Sequence, residues 1–468
     1  MTVITSLTRN ESGIAAAIEA LTARFGAALH RGRAVREQHG SNTTWIPNQA
    51  PDAVIYPQST EDVARIVDIC ARHRAPVIAF GAGTSLEGHV NAPAGGITLD
   101  FRDMDRILAV HDEDMDCVVQ PGVTRRRLNN HLRATGLYFP IDPGADASLG
   151  GMAATRASGT NAVRHGTMKD NVLALEAVMA DGQIIRTAQR ARKTAAGYDL
   201  TRLLVGSEGT LAIITELTLR LQGRPEAEAS AVCSFPTVRA ACDAVIMTLQ
   251  SCIPVARIEL LDALSVAAVN AYSALALPES PLLLLDFQGS AAAVREQAQQ
   301  FGELAEASGG GGFHWSADAA ERARLWRARH DVYWAICRLA PHKHSVSTDI
   351  CVPISRLAEA VVAAQDLART QGFAAPILGH VGDGNFHVLL LVDGADHAET
   401  QRADCFVEAL NEIAIGMQGT CTGEHGIGQG KRPYLARELG AATMVMARIK
   451  QALDPQAILN PGKVLASS

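Results

Sequence analysis

Residues 140–170 read PIDPGADASLGGMAATRASGTNAVRHGTMKD, a stretch rich in Gly, Ala, Ser and Asn with few large side chains. It is too small in side chain for a core and too long for an idle loop in a compact domain, so a functional loop is expected. A second glycine segment, GAGTSLEG at 81–88, follows a short apolar run expected to be a strand over Pro76–Phe80. Two such segments in one region suit a pyrophosphate-bearing cofactor that needs close approach of bare backbone. The first segment is not a G-x-G-x-x-G turn, because Gly88 comes too late and GGITLDF (95–101) soon reads as a strand rather than a helix. A doubly wound dinucleotide fold needs strand, glycine turn and then helix. No Walker lysine is present. Taken alone, GAGTSLEG reads as an ordinary turn or as a nest of N–H groups for an anion.

Around these segments the chain alternates helix and strand signals. The first 50 residues read as largely helical and polar. Thr60 is the expected cap of a helix with Val63, Ile66, Val67 and Cys70 on one face. A second helix is expected over Thr124–Thr135, stopped at Gly136, and VGSEGTLAIITELTLRL (205–221) alternates like a strand. QGRPEAEAS (222–230) breaks the composition. The expected division is 1–222, 223–430 and a turn-rich C-terminal segment, 431–468, that packs back on the first domain. After the break, runs such as PLLLLDFQG (281–289), a flexible SGGGGF loop (308–313) and a helix opening at Ser355 indicate an α+β domain.

Net charge is −7 and no basic run exceeds TRRRL (124–128), which argues against nucleic acid. The chain is 47% hydrophobic, yet no apolar run reaches the roughly 18 residues of a membrane-spanning helix. The N-terminus reads as neither a secretory signal nor an Arg-rich transit peptide. The nine cysteines are scattered without a C-x-x-C, as expected of reduced cytosolic thiols and not of an iron–sulfur site. The expected location is cytoplasmic, with a peripheral position at the inner face of the membrane as the variant.

GHVGDGNFHVLLLV (379–392) puts His380 and His387 at the two ends of a glycine-rich turn beside an apolar run. By themselves they read as satisfied structural histidines or as ligands. CTGEHGIGQGK (421–431) adds Glu424 and His425 in another glycine-flanked turn. Two imidazoles and one carboxylate suffice for a divalent metal with open positions, which leaves His425 as a proton acceptor. The set admits zinc or manganese, with iron the less favoured ion. Asp383 and Asn385 read as groups that shape the loop or hold the ligands.

PVIAFGAGTSLEG, the 140–170 stretch and LLVGSEGTLAIITELTLRL resemble the FAD-binding domain of the vanillyl-alcohol oxidase superfamily. The branch they are most similar to holds flavin-dependent D-2-hydroxyacid dehydrogenases, and the likeness runs from about residue 50 to the end. The resemblance implies an α+β fold: a two-subdomain FAD-binding domain of this type, followed by an α+β cap domain. By position it implies FAD contacts from Phe80, Gly81, Ala82, Gly83, Thr84, Ser85 and Leu86 around the pyrophosphate. Pro143, Gly144, Ser148, Gly151, Ser158, Gly159, Ile213 and Asn460 would line the rest. Relatives that tether the flavin do so through a histidine where Thr84 stands, so the FAD is expected to be noncovalent.

The same resemblance makes His380, His387 and Glu424 metal ligands and His425 the catalytic base, in contact with substrate. In LWRARHDVYW (325–334), with Arg327, Arg329 and His330, the W-x-x-R position makes Arg329 the arginine that binds the substrate carboxylate. It implies oxidation of a small D-2-hydroxy acid, first of all D-lactate to pyruvate, with glycolate or D-2-hydroxyglutarate as alternatives. Ser347 stands near the place of the lysine that reads the distal carboxylate in the hydroxyglutarate enzymes, and Lys343 lies further back. No haem attachment motif is present, so electrons would pass to a separate acceptor, a cytochrome, quinone or electron-transfer protein. A homodimer is the expected assembly. A metal-dependent hydrolase using His380, His387 and Glu424 is the reading from another class, and it leaves both glycine segments unexplained.

Overall fold

The computed structural model describes residues 7–42 and 44–465. They fall into two compact units, each considered by itself. The first holds the chain up to Ser158, Gly166–Arg224, and everything from Glu424 on; the second holds Gly159–His165 and Pro225–Gly423. The expected boundaries differ in three details: residues 159–165 leave the first stretch for the second unit, the first stretch ends at Arg224 rather than at residue 222, and the chain returns at Glu424 rather than after residue 430.

The first unit is built on two larger sheets, with a two-stranded pairing of Leu137–Tyr138 and Gln222–Gly223 beside them. Strands Leu29–His30, Ala53–Ile55, Ile97–Asp100 and Val77–Phe80 lie side by side in that order, the last three parallel. Strands Ile107–His111, Asp116–Val119, Ile213–Arg220, Val172–Val178 and Ile184–Arg186 form an antiparallel sheet of five. The helix Thr60–His73 buries Val63, Ile66, Val67 and Cys70, which recur every three or four residues. They join Ile55, Val77, Ile97, Leu99 and Ile213 in one core. Fully burying one such aliphatic side chain is worth roughly 1.5–3 kcal/mol, so Ile66→Ala is the kind of change that breaks this packing. The cap is Ser59 and not Thr60: the Ser59 hydroxyl accepts from the Asp62 amide, while the Thr60 hydroxyl donates to Glu176 at 2.8 Å.

The 140–170 stretch is not a loop throughout. It carries the short helices Leu149–Thr155 and Ala162–His165, and a third, Met168–Asn171, closes it. Small residues make this possible: a Cβ at Gly150 would collide with Pro121, so the helix lies against that strand exit.

The second unit is an antiparallel sheet of eight strands. Along it run Gly311–Ser316, Ala227–Ser234, Leu282–Gly289, Arg257–Leu261, Ile377–Gly379, Asn385–Val392 and His344–Ser347, with Ile350–Cys351 pairing beside Asn385–Val392. Leu283, Leu285 and Phe287 face one core and Leu282 and Leu284 the other. Both faces are covered, which is why this strand reads as a continuous apolar run and not an alternating one. The expected loop at 308–313 is overtaken by the edge strand from Gly311. The helix expected from Ser355 begins at Leu357, after a short 3-10 turn, and stops at Gly372 with φ 75°. All nine cysteines are free. No helix among the described residues is long and apolar enough to cross a membrane.

Candidate active site

The histidine segment of the second unit is a tight hairpin. Strand Ile377–Gly379 pairs with Asn385–Val392, Leu378 lying opposite His387, and a 3-10 turn, Val381–Asp383, joins them. The turn tolerates only glycine at two corners. A Cβ at Gly379 would strike Phe386, and Gly384 sits at φ 80° against the Val352 carbonyl. This geometry carries the two imidazoles to a centroid separation of 5.7 Å, nearly perpendicular at 87°.

Both rings are held by the same device. His380 Nδ1 lies 2.7 Å from Glu259 Oε1, and His387 Nδ1 lies 2.9 Å from the Thr348 carbonyl. A carbonyl only accepts, and so does an ionised carboxylate, so each Nδ1 carries a proton, and in the neutral ring Nε2 keeps the lone pair. That is the tautomer a metal-binding imidazole requires. The chemistry of the donor pair therefore fits a divalent cation.

Glu259 stands out as the residue that sequence reading missed. It is 0% exposed in the strand Arg257–Leu261, where Ile258, Leu260 and Leu261 are the other buried residues, and its other oxygen accepts from Arg329 Nε at 2.6 Å. Burial alone would raise its carboxyl; the charge of His380 when its ring is protonated, then that of Arg329, with the hydrogen bonds of both, outweigh this and hold it below the usual carboxylate range. One buried carboxylate thus fixes a candidate ligand and the candidate substrate arginine. Arg329, on the helix Ala319–Leu339, keeps its terminal nitrogens as the remaining donors; Arg327, two residues earlier, is exposed. The signal in the sequence was a lone acid in RIELL, where an unpaired charge would be too costly to bury.

Asn385 donates to Asp349 and to the Ile350 carbonyl, each at 2.8 Å, and Asp349 also accepts from the Thr422 hydroxyl at 2.8 Å. Asp383 is exposed in the turn. The chain leaves the second unit at Gly423, so Glu424 follows only two residues after an anchored Thr422. Lys343 is ion-paired to Glu399 at 2.6 Å, and Ser347 lies in the strand His344–Ser347.

In the first unit the glycine segments meet. A Cβ at Gly81 would overlap Ser148 Oγ, and Gly151 lies against the same hydroxyl. Ser148 Oγ and Ser85 Oγ are buried without a hydrogen-bond partner among the described residues. A bare-backbone cradle with orphaned hydroxyls fits a polar cofactor group such as a pyrophosphate. Ala82, Thr84 and Gly144 are exposed, and Leu86, Gly83 and Pro143 half-buried. Phe80 turns its ring onto His39 at 4.5 Å, and Ile213 is a core residue, so these two offer backbone to a ligand. Asn460 is fixed by the Glu208 carbonyl at 2.7 Å and by Lys463 at 2.9 Å. Ser158 closes this unit, and Gly159 already belongs to the other. His425 lies in the first unit, its Nδ1 3.8 Å from the buried Glu87 carboxylate.

Comparison with known proteins identifies flavin-linked domains in this chain. Residues 51–188 match a family described as FAD binding domain, and residues 224–464 match FAD linked oxidases, C-terminal domain. A Danio rerio protein named probable D-lactate dehydrogenase, mitochondrial, is 51% identical over 93% of this chain and 88% of its own length. An Arabidopsis thaliana protein named D-lactate dehydrogenase [cytochrome], mitochondrial, is 44% identical over 89% of this chain and 73% of its own. Among solved structures, p-cresol methylhydroxylase with substrate bound covers 97% of both chains at a TM-score of 0.78 and 15% identity, a likeness of fold. The fold is the FAD-binding type of the vanillyl-alcohol oxidases, and the chain belongs to the FAD-linked oxidase family as an FAD-dependent oxidoreductase.

Proposed function

We propose that this oxidoreductase oxidises a small D-2-hydroxy acid, D-lactate first, with the help of a divalent metal, and passes the electrons to a separate acceptor. The observation that carries the reading is Glu259, which ties Arg329 and His380 to one buried carboxylate. A hydroxy acid offers a carboxylate next to a hydroxyl, and this chain holds an arginine and a histidine donor pair next to each other. Relatives named D-lactate dehydrogenase support the substrate class.

Arg329 binds the substrate carboxylate through its terminal nitrogens, as a planar fork. His425 takes the hydroxyl proton at Nε2, the nitrogen opposite the one that faces Glu87. FAD, when bound, supplies the two-electron acceptor for the hydride on the same carbon. His380, His387 and Glu424 would hold the metal, zinc or manganese, whose charge would make the hydroxyl proton easier to remove. The FAD would be noncovalent, held by the loop from Phe80 to Leu86 and by Ser148, Gly151 and Asn460. The pairing of Lys343 with Glu399 favours a substrate without a distal carboxylate.

The test is steady-state kinetics with D-lactate, L-lactate, glycolate and D-2-hydroxyglutarate and an artificial electron acceptor, with and without chelator. Chelator-sensitive turnover, highest with D-lactate, is the expected result. Turnover that is indifferent to configuration at C2 or to chelation contradicts it. Hydrolysis by the histidine pair would leave the FAD-binding domain without a use.

A further inference from the structure

The segment VGSEGT enters none of the roles above, yet it holds a buried acid in a costly position. Glu208 is 6% exposed and adopts φ 55°, a left-handed conformation rare for a side-chain-bearing residue. Such a conformation persists only when its surroundings enforce it. Here they do. Glu208 Oε1 accepts from the Ile427 amide at 2.7 Å and Oε2 from the Gly428 amide at 2.8 Å. His89 Nε2 lies 3.0 Å from Oε2, and Asn460 donates to the Glu208 carbonyl at 2.7 Å. All of these groups belong to the first unit.

The two amides belong to the turn that follows His425. The turn has no room to drift. A Cβ at Gly426 would stand 2.8 Å from Glu208 Oε1 and 2.9 Å from His89 Nε2, and a Cβ at Gly428 would strike the Glu87 carbonyl. Gln429 continues the docking, its amide donating to that same carbonyl at 2.7 Å. Apart from the turn's own peptide links, the Glu208 carboxylate is the group that accepts from both of these amides.

We propose that Glu208 is a positioning residue: by accepting from the Ile427 and Gly428 amides it fixes the turn that carries His425, and so sets where the proton acceptor stands. The proposal rests on the reading of His425 as the base. Glu208 touches neither substrate nor flavin in this role. A displaced base loses rate steeply, because a shift near 1 Å can cost about a hundredfold. The loss falls on the step in which the proton leaves, and so on kcat.

The experiment is a double-mutant cycle on the FAD-loaded protein. Glu208→Gln keeps the shape but replaces one acceptor oxygen with an amide nitrogen that donates. It should keep its yellow colour, lower kcat about tenfold to a hundredfold, and leave KM within about threefold. In a His425→Ala background the same change should cost less than about threefold further, because the group it positions is gone. A structural role would give the same loss in both backgrounds, and that result overturns the proposal while leaving His425 as the base. Wild-type kcat in His425→Ala overturns the reading of the base, and the proposal with it. Should Glu208→Gln fail to fold, Gly426→Ala presses a methyl group on the same carboxylate and must reproduce the kcat loss; unchanged kcat in a folded Gly426→Ala overturns the proposal.

Discussion

The flavin cradle and the histidine hairpin are built by opposite means. Around Gly81 and Ser148 the site is made by leaving side chains out, and its hydroxyls have no hydrogen-bond partner among the described residues. Around His380 and His387 it is made by putting side chains in and tying each Nδ1 to an acceptor. The cradle's specificity lies in backbone shape and suits a large, preformed cofactor. The hairpin's specificity lies in proton positions and suits chemistry at a single oxygen. Damage to one should therefore spare the other, and most of the following tests ask whether it does.

The largest separation is expected from His387→Ala. Losing a ligand should strip the metal and cut turnover about a thousandfold or more, since a metal supplies several kcal/mol at the developing charge. FAD content should stay at wild-type level. Elemental analysis and the visible spectrum of the same sample check both halves, and full activity in a metal-free variant would break the comparison.

The mirror experiment is Gly81→Ala. Its Cβ overlaps Ser148 Oγ, and overpacking of this kind costs about 1–3 kcal/mol. FAD should bind roughly tenfold to a hundredfold more weakly by titration of the apoprotein, with metal content unchanged. Tight FAD binding in this variant would remove the cradle from the site.

Glu259→Gln sharpens the comparison within the hairpin. The amide cannot accept from both Arg329 and His380 with equal strength, so metal affinity should fall about tenfold to a hundredfold. The KM for the hydroxy acid should rise in parallel. A change in one constant without the other would separate the arginine from the ligand.

How much of this was legible beforehand follows the same divide. The glycine segments announced themselves, because a run of small residues has few other uses, and the His380–His387 spacing marked a tight turn. Glu259 and Glu208 did not. Each is a single acid whose partners are distant in sequence, 70 and 121 residues away for Glu259 and 219 and 220 for Glu208. Local pattern cannot name such partners; only the fold does. SGGGGF read as a loop because glycine has a low strand propensity, which pairing with Ala227–Ser234 overrides from Gly311 on. Thr60 and Ser59 were equally good caps by type, and the Thr60 hydroxyl was drawn off by Glu176.

The smallest expected effect concerns stability and lies in the first unit. Burial would raise the Asp100 carboxyl, but hydrogen bonds from His39 and Arg102 outweigh this and lower it. A depressed carboxylate stabilises the fold above its unfolded pKa, about 4, and that contribution is lost as pH falls through the folded value. Asp100→Asn should therefore melt below wild type at neutral pH, with the gap closing below about pH 4. Parallel melting curves with a constant gap would contradict the sign.

The central claim is that the hairpin activates the substrate while the cradle holds the flavin. It is tested most directly by anaerobic mixing of the yellow protein with D-lactate, before and after chelator treatment. The account predicts rapid bleaching of the native protein. After chelation the FAD should stay bound, bleaching should slow about a thousandfold, and added metal should restore it. Bleaching at the native rate in protein shown by elemental analysis to be metal-free would contradict the account.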